Sequence, residues 1–519
     1  MKLAEVAGLG SVLCLGVLPL AAGDTNQVEQ LQKQLEQMQK NFEKTVLEQR
    51  LQIEALSRQI DELKKNMQAT NARPAGATAP LAGTATNAPP AISGTTNTPA
   101  LATVQSPPVL DKKPWSPAEP IRLAGGQQSY LNLSLDAMFA VGGASTQDFD
   151  LIQPGATDPH QNGFNLQEIE MTLDGKVDPY FRGQASVSWG MELDGSTSVE
   201  LEEAYAETMS LPWNLQVKGG LYLTQFGRLN PTHAHTWSFV DDSLVNALLL
   251  GPDGLSGLGA QISWLAPTPF YSELFLSVQD SSGEKAFSFG SDHDGQPYLG
   301  RLNSTVTISS ADKLLYVPRY AASFDLTPSQ TLLVGASAAI GPNGSGSDTY
   351  THIYGVDVFW KWKPADQHGG FPFVTWQTEA MLRQYQAGAF TEDTNGNGII
   401  DPGEPDLNLD GIVQSVPRET LTNWGMYSQV AYGFHKGWVA ALRGDYVTPT
   451  GNAAFVNVYG FDPEWARRWR LSPNLTWYPS EFSKIRLQYD LNRIDTIGYE
   501  SAVWMQFEFL LGAHAAHKF

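Results

Sequence analysis

The sequence of 519 residues contains a single cysteine, Cys14, which lies in an apolar run near the amino terminus. A basic start, an apolar run over residues 6–20 and a small-residue site at 21–23 form the order of a secretory signal peptide. We therefore assign residues 1–23 to a signal peptide. The mature chain would contain no cysteine, which excludes disulfide bonds from its stability.

Long apolar runs and basic side chains are also scarce. After the amino-terminal run no segment has eighteen uninterrupted apolar residues, so the sequence predicts no transmembrane helix. Lys and Arg number 33 against 54 Asp and Glu, a net charge of −21. Residues 1–120 contain 11 basic and 11 acidic residues, which leaves 22 basic and 43 acidic residues in 121–519. Such an acidic domain argues against a nucleic-acid partner.

Residues 28–67 carry a heptad pattern, which predicts a coiled-coil domain over 24–67 with a rod of about 40 residues, roughly 60 Å long at 1.5 Å per residue. Two successive four-residue steps near Val46 form a stutter, which locally unwinds a supercoil. Residues 68–120 are rich in Ala, Thr, Pro and Gly and predict a linker, because they offer too little apolar surface to fold. The seam residues are Val28, Leu31, Leu35, Met38, Phe42, Val46, Ile53, Leu56, Ile60, Leu63 and Met67.

From Tyr130 onward apolar and polar residues alternate with a period of two, which is typical of β-strands. The last segment shows the pattern most clearly, with Met505, Phe507 and Phe509 on one face and Gln506 and Glu508 on the other. The pattern predicts sixteen strands, within a barrel domain over residues 121–519. Their predicted starts lie near residues 130, 164, 181, 198, 215, 257, 270, 313, 331, 351, 373, 421, 438, 466, 483 and 501.

The predicted connections alternate between short turns and longer loops. Short turns such as those at residues 178–180 and 479–480 alternate with loops near 143–162, 226–256, 280–312, 387–418 and 449–465. An even number of strands with short turns at one end and long loops at the other is typical of a bacterial outer-membrane β-barrel. A soluble sandwich has no reason to show this alternation. The fold class is therefore an all-β transmembrane barrel of sixteen antiparallel strands preceded by an α-helical coiled coil.

The order of signal peptide, coil, linker and sixteen-stranded barrel resembles the Gram-negative outer-membrane porins. It is most similar to the phosphate-selective porin O/P type and to related porins with an amino-terminal periplasmic coiled coil. Segments 176–180, 201–205 and 226–237 look like porin segments. The resemblance implies a homotrimer of water-filled channels in the outer membrane, with the coil in the periplasm. It also implies that the third outer loop, residues 226–256, folds inward and narrows each pore.

Charged residues at two places are the candidates for the pore. The third outer loop supplies the constriction candidates, and strand parity places basic residues on the inward faces of the strands near 438, 466 and 483. A basic wall facing an acidic loop would create a transverse field that selects ions by sign. The alternative is that these side chains pair with one another or simply coat a wet lumen. The loop candidates are Arg228, His233, His235, Asp241 and Asp242; the wall candidates are Arg443, Arg468, Arg470, Lys484 and Arg486.

The sharpest local motif lies in the loop after residue 387. It matches the twelve-residue calcium loop, with oxygen side chains at positions 1, 3, 5 and 9, glycine at 6, a backbone carbonyl at 7 and glutamate at 12. This predicts a structural calcium ion on an outer loop, and the alternative is an acidic Asn/Gly-rich loop without an ion. A second, truncated copy begins at Asp406. The six predicted ligands are Asp393, Asn395, Asn397, Ile399, Asp401 and Glu404.

His233 and His235 lie two residues apart and would point the same way in an extended segment. They could share a metal with Asp241 or Asp242, although hydrogen bonding within the loop is the simpler interpretation.

The predicted function is passive diffusion of small hydrophilic solutes or ions through the outer membrane, without catalysis. The first alternative is a structural outer-membrane anchor whose coil spaces or tethers the envelope. The second is an outer-membrane hydrolase, which the absence of a Gly-x-Ser-x-Gly motif disfavours. Expected partners are outer-membrane lipid, small solutes and two further copies of the chain.

Overall fold

The computed structural model describes residues 121–125, 129–176 and 178–512. The predicted signal peptide, coiled coil and linker lie outside the described residues, as do residues 513–519 of the final alternating segment. Sixteen antiparallel strands form one sheet that closes on itself, because the first barrel strand pairs with the last. The predicted count of sixteen is confirmed, and each strand begins within three residues of its predicted start.

The barrel strands are joined by connections that contain four two-residue strands and a few short helices. In the described part of the chain, no helix has the length and apolar character needed to cross a membrane. The barrel strands are β2 (Tyr130–Ala144), β3 (Gly163–Lys176), β4 (Phe181–Met191), β5 (Thr197–Thr208), β6 (Leu215–Leu223), β7 (Ser256–Leu265), β8 (Tyr271–Asp280), β11 (Leu314–Thr327), β12 (Gln330–Pro342), β13 (Tyr350–Trp362), β14 (Phe373–Ala387), β17 (Glu419–His435), β18 (Trp438–Thr450), β19 (Arg468–Ser480), β20 (Ser483–Ile494) and β21 (Gly498–Leu511).

The remaining elements are short and do not form part of the barrel wall. Only β1 pairs with a barrel strand. These elements are β1 (Ile121–Gly125), β9 (Pro297–Tyr298), β10 (Arg301–Leu302), β15 (Phe390–Thr391), β16 (Ser415–Val416), α1 (Leu244–Leu249), α2 (Ala454–Tyr459) and the 3₁₀ turns Pro212–Asn214, Ala234–Thr236, His293–Gly295, Ala311–Lys313 and Pro463–Trp465.

The two ends of the barrel differ in the length of their connections. At one end the strands are joined by turns such as residues 328–329, 436–437 and 481–482. The five predicted long loops all lie at the other end, where residues 192–196, 343–349 and 495–497 form three shorter connections that the sequence pattern did not single out.

The outer face of the barrel is apolar and the inner face is polar. In β19 and β20 every predicted inward residue is buried, while the predicted outward residues are half-buried or exposed. Leu475, Leu487 and Met505 sit side by side on three neighbouring strands and are 40%, 53% and 38% exposed. The predicted parity is therefore confirmed, and the outer face has the composition expected of a surface in contact with lipid.

One edge of the first barrel strand, β2, pairs with two strands: β1, which precedes it in the chain, and β21, the last strand of the barrel. β21 covers β2 from Leu135 to Ala144, and β1 covers the remaining stretch from Tyr130 to Leu133 on the same edge. The opposite edge of β2 pairs with β3 from Tyr130 to Gly142. β2 therefore has neighbouring strands on both edges over nearly its whole length, which leaves little open strand edge at the seam.

The main hydrophobic core lies inside the barrel rather than between two sheets. Its central part comes from the connection between β6 and β7, residues 224–255, which we call the inner loop. Phe226, Leu244 and Leu249 of this loop pack against wall residues that include Ile353 and Tyr427. The inner loop is therefore held by apolar contact against inward-facing residues of the barrel wall.

Candidate functional site

The inner loop enters the lumen beside β14, where one carboxylate holds its first turn. Glu379 accepts the backbone N–H groups of Arg228 and Leu229, each at 2.8 Å, and the hydroxyl of Tyr427 donates to the same carboxylate. Glu379 is 1% exposed. Arg228 stacks its guanidinium over the ring of Phe359, 3.9 Å from the centroid, so the predicted constriction arginine lies against the wall.

At its far side the loop is held by a buried pair of arginines. Asp241 forms ion pairs with Arg443, at 2.9 Å, and with Arg470, and it accepts a hydrogen bond from Gln488 at 2.7 Å. Asp241 and Arg470 are each 1% exposed and Arg443 is 2% exposed. Buried ions of opposite sign with complete hydrogen bonding form a strong local attachment, since separation would leave each charge unpaired.

Two further wall bases bind the backbone of the same loop. Arg486 donates to the carbonyl oxygens of Trp237 and Phe239, each at 2.8 Å. Lys484 donates to the carbonyl of His235 at 2.6 Å and pairs with Glu508.

The remaining predicted bases and acids are bound as well. Arg468 donates to the carbonyl oxygens of Leu151, at 3.0 Å, and Pro463, which belong to other connections. Asp242 donates its N–H to Asp158 at 2.8 Å.

These contacts bear on the hypothesis of a field between wall and loop. The sequence placed a basic wall opposite an acidic loop, and the structure brings Arg443 and Arg470 into direct contact with Asp241. Charges that touch neutralise one another locally and leave little field across an open passage. Arg443, Arg470 and Asp241 therefore match the alternative hypothesis, in which the charged side chains pair with one another.

The two loop histidines are buried together over carboxylates of β3 and β5. Their rings stack with centroids 5.7 Å apart. His233 lies 3.3 Å from Glu170 and 3.1 Å from Glu203, and His235 lies 3.1 Å from Glu170. Within the described residues no group of three or more potential ligands is arranged to hold a metal ion. The histidines therefore serve as a third attachment of the loop, and the carboxylates suggested by the sequence, Asp241 and Asp242, have other partners.

Beside the inner loop a cavity of about 680 Å³ opens along β3, β4 and β5. Nine acidic side chains line it, and His160 is the only His, Lys or Arg of its lining within the described residues. A smaller cavity of about 50 Å³ lies under the loop. Glu168, Glu202 and Asp253 line both cavities, so they stand at the junction between the outer cavity and the interior.

β-bulges in β3 and β5 explain why so many acids meet at this junction. The pairing of β2 with β3 skips Gln167, and the pairing of β4 with β5 skips Glu202. A bulge directs consecutive residues to the same side of a strand. Glu202 and its neighbour Glu203 both reach the lumen as a result, where Glu203 meets His233 and Glu202 accepts a hydrogen bond from Ser188 at 2.8 Å.

The acids at the junction are only partly compensated. Lys285 lies 2.5 Å from Glu200 and 3.0 Å from Glu202. Burial raises the pKa of Asp253 to about 7; the ammonium of Lys285 opposes the shift, and the nearby carboxylates of Glu200 and Glu202 add to it.

The predicted calcium loop forms a turn closed by its own carboxylates. Asp393 accepts backbone N–H groups from Asn397 at 3.2 Å and Gly398 at 2.6 Å. Asp406 accepts from Asp410 and Gly411 at the same offsets of four and five residues, so the truncated second copy repeats the turn.

The glutamate at the end of the first turn folds back onto its start. Glu404 accepts the N–H groups of Thr394 at 2.8 Å and Asp401 at 3.0 Å. The hydrogen bonds from Asp401 and Thr394 hold the pKa of Glu404 below its usual value, so it is ionised at neutral pH.

No family model matches the sequence. An "Uncharacterized protein" of Aquifex aeolicus (strain VF5) is 31% identical over 379 residues, which make up 69% of this chain and 71% of that protein. The chain belongs to the same family as this protein. Because the matched stretch exceeds two thirds of both chains, the family relationship extends over most of each protein.

Solved structures similar to this family member have low sequence identity. OmpT of Vibrio cholerae has a TM-score of 0.43 at 6% identity and covers 75% of this chain and 99% of its own. The anion-selective porin from Comamonas acidovorans has a TM-score of 0.42 at 7% identity, over 74% of this chain and 100% of that one. The outer-membrane channel DcaP of Acinetobacter baumannii has a TM-score of 0.42 at 14% identity, over 75% of this chain and 100% of that one.

Sequence reasoning missed several residues that hold the site together. Glu170, Glu203 and Glu379 anchor the inner loop, and Glu168 and Glu202 line the acidic junction. Parity could have identified Glu379, since it alternates with the inward residues of β14. At each bulge two consecutive residues face the lumen, Gln167 with Glu168 and Glu202 with Glu203, so one alternating count finds only one residue of each pair.

Proposed function

We propose that the chain forms an outer-membrane channel for passive diffusion of small hydrophilic solutes or ions. The observation that carries the proposal is a closed barrel with an apolar outer face, such as Leu475 and Leu487, and a charged inner face. Only a closed barrel or a helix satisfies its backbone hydrogen bonds in lipid, and an apolar outer face needs lipid to cover it. The transport itself requires no covalent chemistry.

The inner loop is the proposed constriction. Its attachments to β3, β5, β14 and β18–β20 cross the lumen, and they support a fixed narrowing rather than a swinging gate. We place solute selection at the acidic junction beside the loop rather than between Asp241 and the arginines that neutralise it. A trimer of such channels, with the coil of residues 24–67 in the periplasm, completes the proposal.

Single-channel recording in a planar bilayer tests the proposal. Purified protein should produce stable current steps, and a trimer should produce them in groups of three equal steps. A barrel that inserts without any current would instead favour the alternative, a structural anchor of the envelope. Resistance to proteolysis in lipid vesicles serves as the control, because it reports insertion independently of conduction.

We also propose that the connection between β14 and β17 binds a structural calcium ion. Asp393, Asn395, Asn397, Asp401 and Glu404 would supply side-chain oxygens, and the carbonyl of Ile399 would complete the set. What supports the proposal is the ligand spacing of the sequence together with two contacts of this turn, in which the amides of Asn395 and Asn397 both donate to Asp401, at 2.8 and 2.6 Å. These side chains share one small volume at the surface, where a hard cation could replace the amide donors. The three carboxylates of the turn are not arranged as metal ligands in this structure, so calcium binding would draw Asp393, Asp401 and Glu404 together.

Calorimetry on the purified protein should detect calcium with a dissociation constant of about 10⁻⁴–10⁻³ M, the range of extracellular sites of this type. The paired substitution Asp393→Asn and Glu404→Gln should abolish the heat signal. Asp312→Asn, a carboxylate in another loop that is 60% exposed, should leave it unchanged. Equal binding by all three proteins would refute the site.

A further inference from the structure

The acidic junction contains a buried carboxylate that no side chain binds directly in the described part of the chain. Glu168 is 6% exposed, and the base that acts on it, His233, is bound by Glu170 at 3.3 Å and by Glu203 at 3.1 Å. Glu168 lines both the outer cavity and the small cavity under the inner loop. A buried carboxylate without a direct partner is costly unless it takes up a proton or a cationic donor reaches it from the cavity.

Around Glu168 the charges are unbalanced. Glu202, Asp253 and Glu200 line the same outer cavity, and Lys285 is the one ammonium among them in the described structure. Lys285 already binds Glu200 and Glu202, which leaves Glu168 and Asp253 facing the cavity. A cation that entered between them would be attracted by both and would remain close to water on its other side.

We propose that this cavity binds small organic cations bearing primary ammonium groups, with Glu168 and Asp253 as the recognising carboxylates. The proposal deepens the proposed channel function, on which it rests, by naming the class of solute. An ammonium group has three N–H donors on a freely rotating C–N bond. It can therefore donate to two carboxylates that lie on separate elements, here β3 and the inner loop.

A bare metal ion fits less well than an ammonium. Within residues 121–125, 129–176 and 178–512 no three carboxylates or histidines converge as metal ligands. The cavity of about 680 Å³ is also far larger than an ion and has the size of a pocket for a small molecule. A diamine can place one ammonium at the junction while its chain extends along the cavity toward the acids near its mouth.

The experiment measures putrescine binding to the full-length, detergent-purified protein by calorimetry at about 0.1 M salt, where exposed charges are screened beyond about 10 Å. Wild-type protein should bind putrescine, and butanediol, which has the same chain without charge, should not bind. Glu168→Gln and Asp253→Asn should each weaken binding about tenfold, the loss expected for a charge-assisted hydrogen bond.

Asp312→Asn is the control. It removes an equal charge from an exposed position of another connection, outside the cavity, so putrescine should bind it as it binds wild type. Equal binding by wild type, Glu168→Gln and Asp253→Asn would overturn the proposal. So would tighter binding of Mg²⁺ than of putrescine that depends on the same two residues.

Bilayer recording of the same proteins separates this proposal from the channel function. Putrescine should reduce the open-channel current of wild type at the concentrations at which it binds. Current without putrescine binding would leave the channel function intact and defeat the cation site. Binding without any current would support the site and defeat the channel function.

Discussion

Replacement of Asp241 by alanine is expected to free the inner loop from the wall and to increase single-channel conductance. The substitution leaves the guanidinium groups of Arg443 and Arg470 buried without their shared carboxylate. Arg443 keeps its ion pair with Asp445, at 2.9 Å, so Arg470 is the guanidinium that loses its carboxylate. Breaking a buried ion pair in this way costs about 3–5 kcal/mol, so the loop should leave its position rather than retain this charge unpaired. Bilayer recording should show larger and noisier current steps, and urea unfolding in detergent should show a lower midpoint.

The fourfold substitution Asp241→Ala, Arg443→Leu, Asp445→Asn and Arg470→Met tests whether charge is the cause, because Asp445 is a second carboxylate that pairs with Arg443, at 2.9 Å. With both carboxylates and both guanidinium groups of this cluster removed, the unfolding midpoint should recover toward that of wild type. Asp312→Ala, in an exposed position of another connection, should change neither conductance nor stability. An Asp241→Ala protein with wild-type current and midpoint would show that the apolar contacts of Phe226 and Leu244 hold the loop without the ion pair.

Arginine in place of Leu487 is expected to impair insertion into lipid. Leu487 lies on the outward face of β20, 53% exposed, between Leu475 and Met505 of the neighbouring strands. An arginine on the lipid face of a barrel costs about 2–4 kcal/mol near the middle of the bilayer. Refolding into lipid vesicles, followed by protease resistance, should give a markedly smaller protected fraction than wild type.

The same substitution at Leu409 provides the matched control. Leu409 is 87% exposed on the connection between β14 and β17, so Leu409→Arg should insert as well as wild type. Normal insertion of both variants would mean that the outer face of β20 does not meet lipid, and the proposed membrane location would be wrong.

The barrel wall could be predicted from the sequence because the environment of each wall residue depends on its position within its own strand. A strand that faces lipid on one side and water on the other alternates at every residue, and turns interrupt the alternation. The starts near 438 and 483 were located to the residue for this reason, and the inward position of Arg443, Arg470 and Arg486 followed from parity alone.

The lumen could not be predicted in the same way because its contacts join distant segments. Nothing in the alternation indicates that Glu379 receives the N–H groups of Arg228 and Leu229, about 150 positions earlier. β-Bulges cause a more direct error in a prediction from alternation. One extra residue in a strand reverses the predicted inward or outward face of every residue beyond the bulge. Glu202 and Glu203 therefore both face the lumen, although strict alternation assigns one of them to the opposite face.

The seam at β2 has a consequence for how the protein can be made. Residues 135–144 find their second neighbour only in residues 502–511, and Ser145 and Ser501, which bond across the seam, are 356 positions apart. A ribosome must therefore release nearly the entire polypeptide before the cylinder can shut. Until then one edge of β2 has no partner strand, and the outward apolar side chains of the other strands belong to a sheet that has not yet closed.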